Sequence, residues 1–349
     1  MELEIATLIF LSSGLFLGWS LGANDAANVF GTAVGSRMIK FSTAALICSV
    51  MVILGAVISG AGASHTLGKL GAISAMGGAF TVALTAALTV YVMTKWGLPV
   101  STGQSIVGAI IGWNIFSQTK TDPAVLTKIL TTWVVCPVLS FFIAIALYKM
   151  VAAGINRMRP GLFALDNWTR IGLILAGAFG SYSLGANNIA NVMGVFVPSA
   201  PFPATELFGF HFTPAMQLFL LGGIAIAVGV YTYSKKVMMT VGDSLIPMTP
   251  VTAWVVVMAH SITLFLFSSQ ELSNLLTSVG LPAIPLVPVS SSQAVIGAVV
   301  GIGILKKLPI QWKVLGRVVF GWCCTPILSA LGCLLCLYFV QNIFQVQVM

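Results

Sequence analysis

Of the eight acidic residues in the chain, Asp25 alone falls inside an apolar run and away from its edges. A carboxylate in that setting costs several kcal/mol unless it is paired or coordinates an ion. Asn24 and Asn28 flank it, and Asp25 and Asn28, three positions apart, share one face of a helix. Gly18, Gly22 and Gly31 surround the group, and a glycine-rich break there would free backbone carbonyls. Carboxylate, amide and carbonyl oxygens form a hard ligand set that suits Na⁺, or a proton held by Asp25 itself. The pattern Gly22-Ala23-Asn24-Asp25-Ala26-Ala27-Asn28-Val29 returns 163 positions later as Gly185-Ala186-Asn187-Asn188-Ile189-Ala190-Asn191-Val192. The second copy keeps the amides and lacks the charge. Asn24, Asp25, Asn28, Asn187 and Asn191 are therefore the candidate cation ligands. The plain alternative is a polar cluster that only bonds helices together.

A second pair of motifs suits the opposite charge. Pro99-Val100-Ser101-Thr102-Gly103-Gln104 returns 189 positions later as Pro288-Val289-Ser290-Ser291-Ser292-Gln293. Proline imposes an extended approach, and the Ser or Thr after it caps the helix that follows. A helix N-terminus presents unpaired N–H groups and the positive end of its dipole, which is a cradle for an oxyanion. Ser101, Thr102, Gln104 and Ser105 in one half, with Ser290, Ser291, Ser292 and Gln293 in the other, are expected to converge on such an anion. Hydroxyls that merely satisfy their own backbone are the competing explanation. Two copies in one chain favour the anion.

The elements that carry these motifs are membrane helices. The chain has 349 residues, 58% hydrophobic and only 7% charged, with a mean hydropathy of +1.02. A soluble chain carries about 25% charged residues, so a soluble enzyme, a nucleic-acid binder and a disordered chain are all excluded. Apolar runs fall near 5–33, 42–63, 72–94, 103–116, 124–152, 171–197, 214–233, 250–268, 293–305 and 314–345. Those at 103–116 and 293–305 are short for a crossing of roughly 20 residues, and read as broken or re-entrant pieces. Whether 72–116 makes two crossings or one hairpin is left open, since both give the same parity. A third repeat, Trp133 to Pro137 against Trp322 to Pro326, completes an internal duplication. With the N-terminus outside, most Lys and Arg, from Arg37 and Lys40 to Lys313 and Arg317, face the cytoplasm, while Lys69, Lys120 and Lys128 face out. Each half then crosses an odd number of times, which makes the repeats inverted, the usual build of secondary transporters.

The expected fold class is an all-α integral membrane protein with about 8–12 membrane helical segments. Residues 1–152 form the first inverted repeat, 153–170 a cytoplasmic linker and 171–349 the second repeat. The chain is placed in the plasma (inner) membrane with both termini extracytoplasmic, and the acidic start Met1-Glu2-Leu3-Glu4 is not that of a cleaved signal.

Other candidates carry less. His65 is read as a loop residue, His211 as the start of an apolar run and His260 as a satisfied mid-helix residue, with no shared metal spacing. Lys95, just before the Pro99 break, either neutralises an anion or extends to the interface. Cys48, Cys136, Cys323, Cys324, Cys333 and Cys336 read as small apolar side chains. No hydrolase or P-loop motif is present, so no enzyme and no cofactor is expected.

At its paired motifs the chain resembles the inorganic phosphate transporter (PiT) family of sodium- or proton-coupled phosphate permeases. The family pattern is Gly-Ala-Asn-Asp-x-Ala-Asn in each half, followed by Pro-Val/Ile-Ser-Thr-Thr-His/Gln. Gly22–Asn28 matches it fully, and Pro99–Thr102 matches before diverging at Gly103. The resemblance implies phosphate and cations held between the duplicated helices and the hairpin tips. It makes Asn24, Asp25, Asn28, Ser101, Thr102, Asn191, Ser290, Ser291 and Ser292 site residues, and Asn24, Asp25 and Asn188 join the anion set. Asn188 stands where the family usually has a second Asp, which lowers the expected cation count or admits sulfate. Phosphate near neutral pH donates a proton to a carboxylate and sulfate does not, so the retained Asp25 favours phosphate. The expected protein is a cation-coupled phosphate symporter working by alternating access. Its partners are phosphate or sulfate, a transported Na⁺ or H⁺, the lipid bilayer and a second copy in a homodimer, with no nucleic acid. An anion channel is the reading from another class, and Asp25 argues against it.

Overall fold

The computed structural model describes residues 5–95, 100–207, 209–241 and 246–349; Glu2, Glu4 and Pro99 lie outside them. The helices are α1 (Ile5–Gly35), α2 (Phe41–Ser59), α3 (Ala61–Leu70), α4 (Met76–Lys95), α5 (Thr102–Phe116), α6 (Pro123–Met158) and α7 (Leu162–Met193). They continue as α8 (Pro214–Thr232), α9 (Ser234–Val241), α10 (Pro250–Leu266), α11 (Gln270–Ser278), α12 (Ser291–Leu305) and α13 (Trp312–Asn342). Six of these, α1, α2, α4, α6, α8 and α13, are long and apolar enough to cross a membrane, or seven spans if α10 and α11, bent by 70°, count as one. The chain is a multi-pass membrane protein. Among the six, α1 only just qualifies, at a mean hydropathy of 1.2, because its polar motif dilutes it. The α6 and α13 helices turn Val134, Val138, Phe142, Phe320, Ile327 and Leu331 outward, a surface suited to lipid.

Close helix crossings organise the core, and they come in matched pairs. A Cβ built on Gly22 of α1 would lie 2.0 Å from the Ile226 carbonyl of α8, and one on Gly229 of α8 would lie 2.1 Å from the Trp19 carbonyl of α1. The other pair of helices repeats this. Gly185 of α7 meets the Val52 carbonyl of α2 at 2.1 Å, and Gly55 of α2 meets that of Tyr182 at 2.0 Å. Gly108 of α5 likewise abuts Pro326 of α13, as Gly297 of α12 abuts Pro137 of α6. Every such contact joins an element of one half to an element of the other. The two halves are interleaved through positions where only glycine fits.

These crossings correct one expectation. Helix α1 runs without a break from Ile5 to Gly35, so its glycines free no carbonyls for a cation. They exist for close approach: Gly18 and Gly22 pack directly on α8. The discontinuities lie in the two hairpins instead. Ser105 reaches the Ala86 carbonyl and Gly78 lies against Trp113, so α5 returns antiparallel along α4. At 15 residues, α5 is about 22 Å long, short of a hydrocarbon core of ~30 Å. It starts at a buried level, with Ser101 and Thr102 both enclosed. The pair α10 and α12 repeats the arrangement, His260 facing Ser291 and Ile246 facing Gly303.

The connections carry structure of their own. The stretch 153–170 is mostly helical: α6 runs to Met158 and α7 begins at Leu162, leaving Arg159, with φ of 45°, to turn the chain. His65 lies on α3, not in a loop. The Pro-rich stretch 198–214 contains a short hairpin, β1 (Thr205–Leu207) against β2 (Phe210–Phe212), which pairs Glu206 with His211.

Candidate functional site

Both serine motifs begin helices. Ser101 (φ −114°, ψ 120°) and Ser290 (φ −82°, ψ 116°) are extended N-caps, and their hydroxyls accept from the Gln104 and Gln293 N–H groups, each at 3.3 Å. The cap satisfies one amide of each first turn, and its neighbours remain as donors at the positive end of the helix. Ser290 also lies 3.0 Å from Ser292, and Ser292 reaches 3.5 Å to the Val100 carbonyl of the opposite hairpin. The two tips therefore meet.

Helices α1 and α7 lie against this junction. The Thr102 hydroxyl points at Asp25 Oδ2 over 3.5 Å, and Asn24 Nδ2 lies 3.4 Å from Oδ1. Asp25 is 3% exposed, and these two long contacts are its polar neighbours among the described residues. No cationic side chain pairs with it there; the ion pair found among those residues is the exposed Arg170–Asp166. Asn28 donates to Ser291 Oγ at 3.0 Å, so α1 touches the first tip through Asp25 and the second through Asn28. In the second half Asn191, the counterpart of Asn28, sits on the first tip, where a Cβ on Gly103 would lie 3.3 Å from its Nδ2. Gly103 thus makes room for Asn191.

The remaining amides divide into two groups. Asn187 is fully buried and holds the extended segment before Ser290, donating to the Val287 carbonyl at 3.1 Å and accepting from Val289 N–H at 2.8 Å. The segment is also tied by Ser273 to Ile284 and by Thr66 to Leu286. Both amide atoms of Asn187 are engaged with backbone, so it holds the tip in place. Ser105 turns away as well, bonding the Ala86 carbonyl at 3.0 Å and Ser329 at 3.2 Å. By contrast Asn191 donates to Asn188 Oδ1 at 3.0 Å, and Asn188 Nδ2, Asn191 Oδ1, Gln104 Oε1 and Gln293 Oε1 are buried with no partner among the described residues. Four such atoms on the two serine motifs and on α7 leave hydrogen-bonding capacity that water, an ion or an oxyanion can take up. Oxygens from Asp25, Asn191 and the glutamines suit a cation; amide and hydroxyl donors at the two helix starts suit an oxyanion.

His260, expected as a satisfied mid-helix residue, also reaches a serine motif. It is wholly buried on α10 with Nε2 3.0 Å from Ser291 Oγ. Only the antiparallel packing of α10 on α12 brings the two together. Lys95, whose two roles were left open, lies 5.5 Å over the Tyr91 ring in a cleft that Asn24, Ser20 and Trp19 also line.

The sequence profile described as the phosphate transporter family matches residues 21–333. The chain belongs to that family. Its relatives include proteins named as phosphate permeases in Methanocaldococcus jannaschii, 24% identical over 94% of this chain and 95% of that one, and in Thermococcus kodakarensis, 23% identical over 93% and 95%. A Haemophilus influenzae protein of the same description is 23% identical over 95% and 96%. A solved structure, described as the sodium-dependent phosphate transporter, superimposes with a TM-score of 0.75 over 97% of this chain and 100% of that one, at 24% identity. This transporter therefore shares its fold with the solved protein of that description.

Proposed function

We propose that this transporter imports inorganic phosphate together with a cation, Na⁺ or H⁺, by alternating access. The observation that carries the reading is the double engagement of α1: Asp25 faces the first hairpin tip while Asn28 bonds the second. A carboxylate enclosed to this degree, with only neutral donors at 3.4 and 3.5 Å, needs a positive companion in a low-dielectric site. The anion lies between the two helix N-termini and the cation beside Asp25, so each screens the other. The relative described as sodium-dependent supports a coupling cation. The matched crossings of α1 on α8 and α2 on α7 support two inverted repeats that rock against each other around the tips. Phosphate, which carries a proton that Asp25 can accept, suits the site better than sulfate.

The test is uptake of labelled phosphate and of labelled sulfate into proteoliposomes, with sodium and pH gradients imposed separately. Accumulation of phosphate above its external concentration, driven by one of the two gradients, is expected. Uptake that only follows the phosphate gradient would mark a channel and overturn the reading.

A further inference from the structure

The two hairpin tips differ in what stands behind their first helical hydroxyl. Thr102, at the start of α5, faces Asp25; Ser291, the matching residue of α12, faces His260 and Asn28. A hydroxyl has one proton and two lone pairs. Asn28 Nδ2 already donates to Ser291 Oγ at 3.0 Å, and His260 Nε2 lies at 3.0 Å from the same oxygen. The other ring nitrogen, Nδ1, is buried and has no partner among the described residues.

That asymmetry selects a tautomer. With the proton on Nδ1, a buried N–H would lack an acceptor; with the proton on Nε2, a bare lone pair is left instead. Orphaned donors are the rarer and costlier of the two. His260 therefore donates through Nε2. Ser291 Oγ then accepts two hydrogen bonds, both lone pairs are used, and its own proton can only be given away, toward the tip junction. An imidazole with an unpaired nitrogen is a poorer packing group here than a leucine, although its neighbours Val256 and Ala259 are apolar.

We infer that His260 is a positioning residue that makes Ser291 an obligate hydrogen-bond donor to an unprotonated oxygen of the transported oxyanion. This rests on the phosphate-carrier reading above. It gives the site a polarity: the first half offers an acceptor, Asp25, and the second half a fixed donor.

The experiment measures equilibrium binding of labelled phosphate to the purified full chain, and phosphate KM in proteoliposomes, for the wild type, H260Q, H260N, H260L, S291A and H260L/S291A. Glutamine carries its amide nitrogen near the position of Nε2, and asparagine does not reach it. H260N and H260L are expected to weaken phosphate binding about tenfold, the loss of roughly one hydrogen bond, with H260Q within about twofold of wild type on the same scale. The double variant should bind no more weakly than S291A, because His260 acts through that hydroxyl. The cation concentration for half-maximal uptake should not move. Equal affinity in H260N and wild type, H260Q as weak as H260L, or a further loss in the double variant would each overturn the proposal. H260N covers the case in which the leucine variant does not fold. Phosphate binding without uphill uptake would count against coupled transport while leaving His260 to be judged on binding alone, and no phosphate binding by the wild type would overturn both.

Discussion

Replacing Asp25 by Asn removes one charge and almost no volume, so it separates the electrostatic role of this side chain from its packing. The carboxylate is 3% exposed, and its polar contacts are the long ones to Asn24 and Thr102. Two unit charges ~4 Å apart at an effective dielectric near 20 interact by about 4 kcal/mol. At about 1.4 kcal/mol per factor of ten, that is roughly a thousandfold in cation affinity. Asp25→Asn should therefore abolish uphill phosphate uptake under any attainable cation gradient. The folded protein should be no less stable, since a buried charge without a cationic side chain has been removed. Labelled phosphate uptake in proteoliposomes reads the first effect, as a function of Na⁺ and of pH. Thermal unfolding in detergent reads the second. Retained accumulation with an unchanged cation dependence would exclude this role, because the enclosed carboxylate of α1 would then have no part in coupling.

Asn187→Ala frees the segment before Ser290 from two hydrogen bonds; phosphate KM should rise while the cation dependence stays put, as measured in the same uptake assay. Ser101→Ala and Ser290→Ala remove matched caps, and each should cost about 1 kcal/mol of stability together with phosphate affinity, read by thermal shift and binding. Gly22→Ala would place a Cβ 2.0 Å from the Ile226 carbonyl, so α1 must leave α8. Loss of the monodisperse folded peak in size exclusion is expected, whereas Gly68→Ala, which meets nothing within 4 Å, should elute as the wild type does.

Much of the site was legible because it rests on local rules. A proline followed by Ser-x-x-Gln specifies an extended residue and a capped helix wherever the chain goes, and both caps formed with the same 3.3 Å bond. Asp25 stood out because a lone charge in an apolar run has few explanations. What misled was the glycines around it. A glycine in a membrane helix signals either a break or a close crossing, and spacing cannot tell them apart; α1 proved unbroken, with Gly22 pressed on α8. The partners of Asn187 and Ser105 were hidden for a related reason. The side-chain types announce hydrogen bonding but not its partner, and here the partners are the backbone at Val287 and Val289 and at Ala86.

Composition alone marks the chain as a membrane protein, and three motifs that recur in the same order supply one enclosed carboxylate and two capped helix starts before any fold is known. Those properties follow from composition, periodic repetition and rules that act within a few residues. Which motif meets which follows from the packing of the helices. Asn28 of the first half bonds the second tip, Asn191 of the second sits on the first, and His260 stands behind Ser291. Such pairings join residues that are distant in the chain, and they depend on which helices approach closely enough to touch. That is set by glycine crossings that no local pattern of residues encodes.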